Sequence, residues 1–154
     1  MKIEGKGAVI TGGARGIGLA IAHRLAAAGA KIAVVDLDQD ASDVAVAELQ
    51  AAGHTAIACV IDVTDEAQVE AMTQQVVDQL GSYDILVTSA AIVGRNAYAW
   101  ETSVGEWRQV LDINLTGVWL CNRAALGPMR ANNYGRIINI ASIAGKEGNP
   151  KLGP

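Results

Sequence analysis

The sequence predicts an α/β fold, a doubly wound parallel sheet, and three observations carry that expectation. Short continuous apolar runs alternate with helical stretches along the whole chain. A glycine-rich turn, Thr11-Gly12-Gly13-Ala14-Arg15-Gly16-Ile17-Gly18, joins the first apolar run to an Ala-rich helix. An acid, Asp36, closes the second run, at the distance from the glycines that a dinucleotide site needs.

In chain order, Ala8-Val9-Ile10 reads as the first strand and Leu19 to Ala28 as the first helix. Lys31 to Val35 forms the second strand, followed by a helix over Gln39 to Gly53. Thr55 to Ile61 is a third strand. Asp65 to Leu80 is a helix with Thr64 as N-cap and Gly81 as its stop. Tyr83 to Thr88 is a fourth strand. Ser103 to about Arg130 is one long helix, with a bend expected at Gly127-Pro128. Gly135-Arg136 opens a fifth strand, Ile137 to Ala141, and the tail from Gly145 to Pro154 is loop-like. The strands do not alternate in polarity, as expected when helices cover both faces of a sheet. Right-handed crossovers then make the sheet parallel.

The glycine turn is where chemistry is expected. It sets bare backbone N–H groups at a helix N-terminus, where the partial positive charge of the helix meets an anion. Gly12 permits the tight turn, Gly16 clears the phosphate path and Gly18 allows close packing of the helix. Asp36 would accept hydrogen bonds from a ribose 2′-hydroxyl and repel a 2′-phosphate, which favours NAD over NADP. The plainer reading of Asp36 is an N-cap or turn residue before the next helix. Arg15 either approaches a phosphate or is a solvated charge, and both readings stay open.

Composition narrows the function further. At 154 residues the chain is expected to be one domain, 1–154, and its 17 glycines and 51% hydrophobic content suit tight α/β winding. A net charge of −4 speaks against nucleic acid as a partner. Met1-Lys2-Ile3-Glu4-Gly5-Lys6 lacks the apolar core of a signal peptide, and no uncharged apolar stretch is long enough to span a bilayer. The expected setting is therefore cytoplasmic, without a membrane partner. Cys59 and Cys121 fall in apolar elements and read as buried, reduced core residues; His23 and His54 are isolated, so no metal site is expected.

Taken together, these residues resemble the short-chain dehydrogenase/reductase family. Thr11, Gly12, Gly16 and Gly18 occupy the fixed positions of its TGxxxGxG motif. The resemblance implies a Rossmann-type sheet, here incomplete at the C-terminal side, and a cofactor held by Gly12, Arg15, Gly16, Ile17, Gly18, Asp36, Asp62, Val63 and Ala90. Asp62-Val63 resembles the pair that contacts adenine. Asn114 resembles the helix asparagine that holds a proton-relay water, and Ser142 the catalytic serine. Alone, Asn114 reads as a structural helix residue and Ser142 as a group satisfying backbone at a strand end. The implied activity is NAD-linked interconversion of a secondary alcohol and a carbonyl on a small-molecule substrate. The implied assembly is a homo-oligomer, a tetramer in the family.

Two departures stand out. After the fourth strand the family often has Asn-Asn-Ala-Gly, where this chain has Thr88-Ser89-Ala90-Ala91; the two hydroxyls are expected to replace amide hydrogen bonds to neighbouring strands. The family's acid/base is a tyrosine with a lysine four residues later. Four residues beyond Tyr83, Tyr98 and Tyr134 stand Val87, Thr102 and Ile138, so no such pair occurs. The chain reads as the first part of such an enzyme, with the tyrosine expected just beyond Pro154. Two alternatives remain open: a stand-alone dinucleotide-binding module, and an NADPH-linked carbonyl reductase, against which Asp36 speaks.

Overall fold

The computed structural model describes residues 3–148 and 150–151. Met1, Lys2 and the end of the expected tail, 152–154, lie outside the described residues. Five strands, β1 (Gly7–Thr11), β2 (Lys31–Asp36), β3 (Ala56–Val60), β4 (Ile85–Thr88) and β5 (Arg136–Asn139), form one parallel sheet in the order β3-β2-β1-β4-β5. The order reverses direction beside β1, which opens a crevice at the C-terminal ends of β1 and β4.

Helices α1 (Gly16–Ala27) and α2 (Gln39–Ala51) cover one face. Ala22, Ala26, Ala45 and Leu49 pack there on Ala8, Ile10, Ile32 and Val34. Helices α3 (Glu66–Leu80) and α5 (Val118–Ala131) cover the other. Val69, Met72, Val76, Cys121 and Ala125 meet Val9, Val35 and Leu86 there. Alternate residues of β1 and β2 thus enter two separate cores, which is why these strands read as unbroken apolar runs. Every residue of β1 and β4 is buried; every residue of β5, at the sheet edge, is exposed.

Some boundaries differ from expectation, for local reasons. The cap of α3 is Asp65, whose carboxylate accepts from the Gln68 amide (3.1 Å); Thr64 instead donates its hydroxyl to Asp62 (2.8 Å). β5 starts and ends earlier than expected because its ladder follows β4, from Ile85 opposite Arg136 to Thr88 opposite Asn139. The expected bend at Gly127-Pro128 does not interrupt α5, which runs through Pro128 to Ala131. The irregularity lies well upstream, where α4 (Val104–Leu111) passes into a π-helical segment, Asp112–Gly117, before α5. A Cβ on Gly117 would meet Val63 Cγ2 at 2.9 Å, so the segment presses on the loop after β3. Short π-helical stretches of this kind are frequent at functional sites.

Candidate dinucleotide cleft

The turn after β1 is held so tightly that its glycines are structural necessities. Gly12 has φ +63°, and a Cβ there would lie 2.8 Å from the Ala90 backbone. A Cβ on Gly18 would lie 2.1 Å from the Gly12 carbonyl oxygen, so Gly18 packs against the turn itself as well as anchoring α1. Gly16 differs: its φ is +55°, and no atom stands within 4 Å of where its Cβ would be. Its value is backbone conformation and a clear approach from outside.

Hydrogen bonds lock this turn to its neighbours. The Gly13 amide donates to the Val35 carbonyl (3.1 Å). Thr11 Oγ1 accepts from the Ser89 and Ala90 amides (3.1 and 3.2 Å). The start of α1 is left open. Arg15, at the cap position, makes no side-chain cap, and the first turn holds no acid. The amides of residues 16–18 therefore lack the intrahelical partner that later amides have, and they can meet an anion.

The amides at Ile17 and Gly18 border a cleft of about 410 Å³. Gly12, Arg15, Ile17, Gly18, Asp36, Asp62, Val63 and Ala90 line it, so of the nine cofactor residues expected from sequence only Gly16 stands outside. Val35, Leu37, Ile61, Ser89, Ala91, Ile92 and Ile113 complete the walls. Most of these additional residues follow directly on the C-terminal ends of β2, β3 and β4. That rule of α/β sheets could have identified them. Ile113 had no such signal, because it enters on the π-helical segment.

Asp36 is half-buried at the end of β2. One carboxylate oxygen accepts from the Ala14 amide (3.3 Å), the other from the amides of Leu37 (2.9 Å) and Asp38 (3.3 Å). It is not the cap of α2. That role belongs to Asp38, whose side chain accepts from the Ala41 amide (3.0 Å). The same Asp38 takes the Arg15 guanidinium in an exposed ion pair, so Arg15 is a partnered charge on the rim of the cleft. The Ala41 amide first, and Arg15 second, hold the Asp38 carboxyl below the usual range. Asp62 accepts from both the amide and the hydroxyl of Thr64 (2.9 and 2.8 Å), which fixes its direction beside Val63.

The residues expected to serve the chemistry are placed differently. Asn114 sits in the π-helical segment and pairs with the Ile92 backbone through two bonds. Its Nδ2 donates to the carbonyl and its Oδ1 accepts from the amide, both at 2.9 Å. It pins the segment after β4 to the helix. Ser142 follows β5, is exposed, and caps the short turn Ile143–Gly145 by accepting from the Ala144 amide (3.2 Å). It does not line the cleft. Thr88 donates its hydroxyl to Asn139 Oδ1 (2.8 Å), bridging β4 to β5 as expected for the departure at that position.

None of the tyrosines lines the cleft. Tyr83 is fully buried, and burial pushes its phenol further up. Tyr98 stacks on Trp100, and Tyr134 lies between Lys6 and Arg136 at the opposite end of the sheet. Burial likewise pushes the thiols of Cys59 and Cys121 up to about 11, fitting inert core residues. Among the described residues no cluster of His, Cys, Asp or Glu could hold a metal ion, and no helix is long and apolar enough to cross a membrane.

A family model described as short chain dehydrogenase matches residues 6–154. The 2-dehydro-3-deoxy-L-rhamnonate dehydrogenase (NAD(+)) of a Sphingomonas species is 44% identical over 149 residues, covering 97% of this chain and 58% of that protein. The cis-4-hydroxycyclohexanecarboxylate dehydrogenase of Sinomonas cyclohexanicum is 45% identical over 141 residues, covering 92% and 56%. The crystal structure of an NAD+-bound xylitol dehydrogenase superposes with a TM-score of 0.95 at 37% identity, covering 99% of this chain and 58% of that one. The chain belongs to the short-chain dehydrogenase family. It spans 56–58% of the length of these relatives.

Proposed function

We propose that this member of the short-chain dehydrogenase family holds NAD for the interconversion of a secondary alcohol and a carbonyl. The carrying observation is that the open amides of α1 and the Asp36 carboxylate border one cleft. The fit is specific. Gly12 brings bare backbone against Ala90, and Gly16 leaves the approach clear. The amides at Ile17 and Gly18 would take the pyrophosphate, Asp36 the ribose hydroxyls, and Asp62 with Val63 the adenine. The relatives' names support the reading, since one is described as NAD(+)-dependent and another was crystallised with NAD+ bound.

A bound nicotinamide supplies the hydride chemistry. The chain's own part is to bind, orient and handle the proton. Ser142 keeps its hydroxyl proton available while its oxygen accepts from Ala144, so it can donate to a substrate oxygen. Asn114 acts by fixing the wall at Ile92. A poised base is not supplied by these two groups. A free phenol, with a pKa near ~10, needs a neighbouring cation to act at neutral pH. This favours, as a second reading, dinucleotide binding without turnover by the 154 residues. On this reading the protein is a homo-oligomer of the cytoplasm; the assembly is supported by Trp107, Leu115, Trp119 and Leu126, exposed along α4, the π segment and α5.

Calorimetric titration tests the cofactor assignment. NAD is expected to bind more tightly than NADP, and Asp36→Ala to narrow the gap by about 1–3 kcal/mol. Equal or tighter binding of NADP by the unaltered protein would overturn it.

A further inference from the structure

Three charges meet at one corner of the cleft: Asp36, Asp38 and Arg15. We infer that Asp38 is a second determinant of dinucleotide selectivity, a positioning residue that holds the Arg15 guanidinium away from the ribose 2′ position. The inference rests on the reading of this cleft as a dinucleotide site with Asp36 at the ribose.

The geometry supports it in three steps. Arg15 follows directly on Ala14, whose amide donates to Asp36 Oδ2, so its side chain springs from the rim beside that carboxylate. Both Arg15 and Asp36 line the cleft. A guanidinium presents five donors in a fork that matches a phosphate, so a released Arg15 would be the group best suited to receive a 2′-phosphate. It is not released, because Arg15 Nη2 donates to Asp38 Oδ2.

Asp38 itself cannot swing away with Arg15. Its Oδ1 accepts from the Ala41 amide, its amide donates to Asp36 Oδ1, and its carbonyl accepts from the Ser42 hydroxyl (2.7 Å). The anchor is thus built into the first turn of α2, and Arg15 is the movable partner. With both acids ionised the corner carries a net charge of −1 by their formal charges. Removing Asp36 alone brings it only to neutrality with Arg15 still occupied; removing both acids leaves a free cation.

The test is a cycle of variants read by calorimetric titration with NAD and NADP. Asp38→Ser keeps a good N-cap but is too short to hold Arg15; Asp38→Asn keeps the cap and the size without the charge. In an Asp36→Asn background, either change is expected to raise NADP affinity by about tenfold while NAD affinity moves by about twofold or less. Adding Arg15→Ala should remove the gain for NADP. A gain that persists with Ala at position 15 would mean the carboxylate merely repels phosphate, and would overturn the inference. No gain in variants whose melting shows an intact fold would overturn it as well. Failure of the underlying reading looks different: the unaltered protein would bind NADP as tightly as NAD, or neither, before any substitution at position 38.

Discussion

The turn after β1 and the segment after β5 are built from the same kinds of residue, glycine, alanine and a hydroxyl side chain, yet they are held in opposite ways. At the first, a Cβ on Gly18 would strike a backbone oxygen at 2.1 Å, and Thr11 is buried while tying β1 to Ser89 and Ala90. At the second, Gly145 has no atom within 4 Å of its Cβ position, Ser142 is exposed, and Ile143 is 61% exposed. Binding geometry here is written into backbone contacts between consecutive elements. Catalytic geometry depends on groups around β5 that these contacts do not provide. The contrast explains how one chain can carry a well-formed cleft beside β1 while Ser142 caps its own turn.

The largest expected effect concerns turnover. The chain of 154 residues should show no alcohol-dependent formation of NADH, even where it binds NAD. Lack of a positioned general base is worth about 10²–10⁴-fold in rate. A version extended by a helix bearing the family's tyrosine and lysine should recover activity. Robust NADH formation by protein whose intact mass matches 154 residues would break the comparison, because the serine side would then be catalytically complete.

Next come the two glycines. Gly18→Ala should destabilise the fold by about 1–3 kcal/mol, the range for overpacking, and should weaken dinucleotide binding with it. Gly145→Ala should change stability by about 0.5 kcal/mol or less. Denaturant melts of both variants check this, and similar losses at the two sites would erase the distinction.

Smaller effects are expected for the polar side chains. Asn114→Ala removes two hydrogen bonds to Ile92 and should cost roughly 1 kcal/mol, with faster amide exchange at Ile92. Ser142→Ala removes one exposed cap and should cost about 0.5 kcal/mol or less in the same melts. A larger loss at Ser142 than at Asn114 would show that the segment after β5 is better held than its exposure implies.

What could be read in advance follows the same division. The β1 turn was legible because glycine at 12, 16 and 18 is demanded by local geometry, and Asp36 because it ends a strand beside that turn. The parallel sheet was legible from the unbroken apolar runs of β1 and β2, which face two cores. Three features were not legible. The π segment, Asp112–Gly117, lies within what reads as one long helix, and no side-chain cap marks it. The cap of α3 lies one residue from the expected position, since Thr64 and Asp65 are both good caps and the structure turns Thr64 to Asp62 and Asp65 to the Gln68 amide. Arg15 and Asp38 are 23 positions apart, and their pairing is a product of the fold.

The most direct test of the account is where NAD touches the protein. Backbone amide shifts followed by NMR during NAD titration should move most at residues 16–18, at Asp36 and at Ala90, with little change at Ser142 and Gly145. Saturable NAD binding whose shifts fall on the segment after β5, or a folded protein whose α1 amides stay unmoved at saturation, would contradict the claim that the glycine turn holds the dinucleotide.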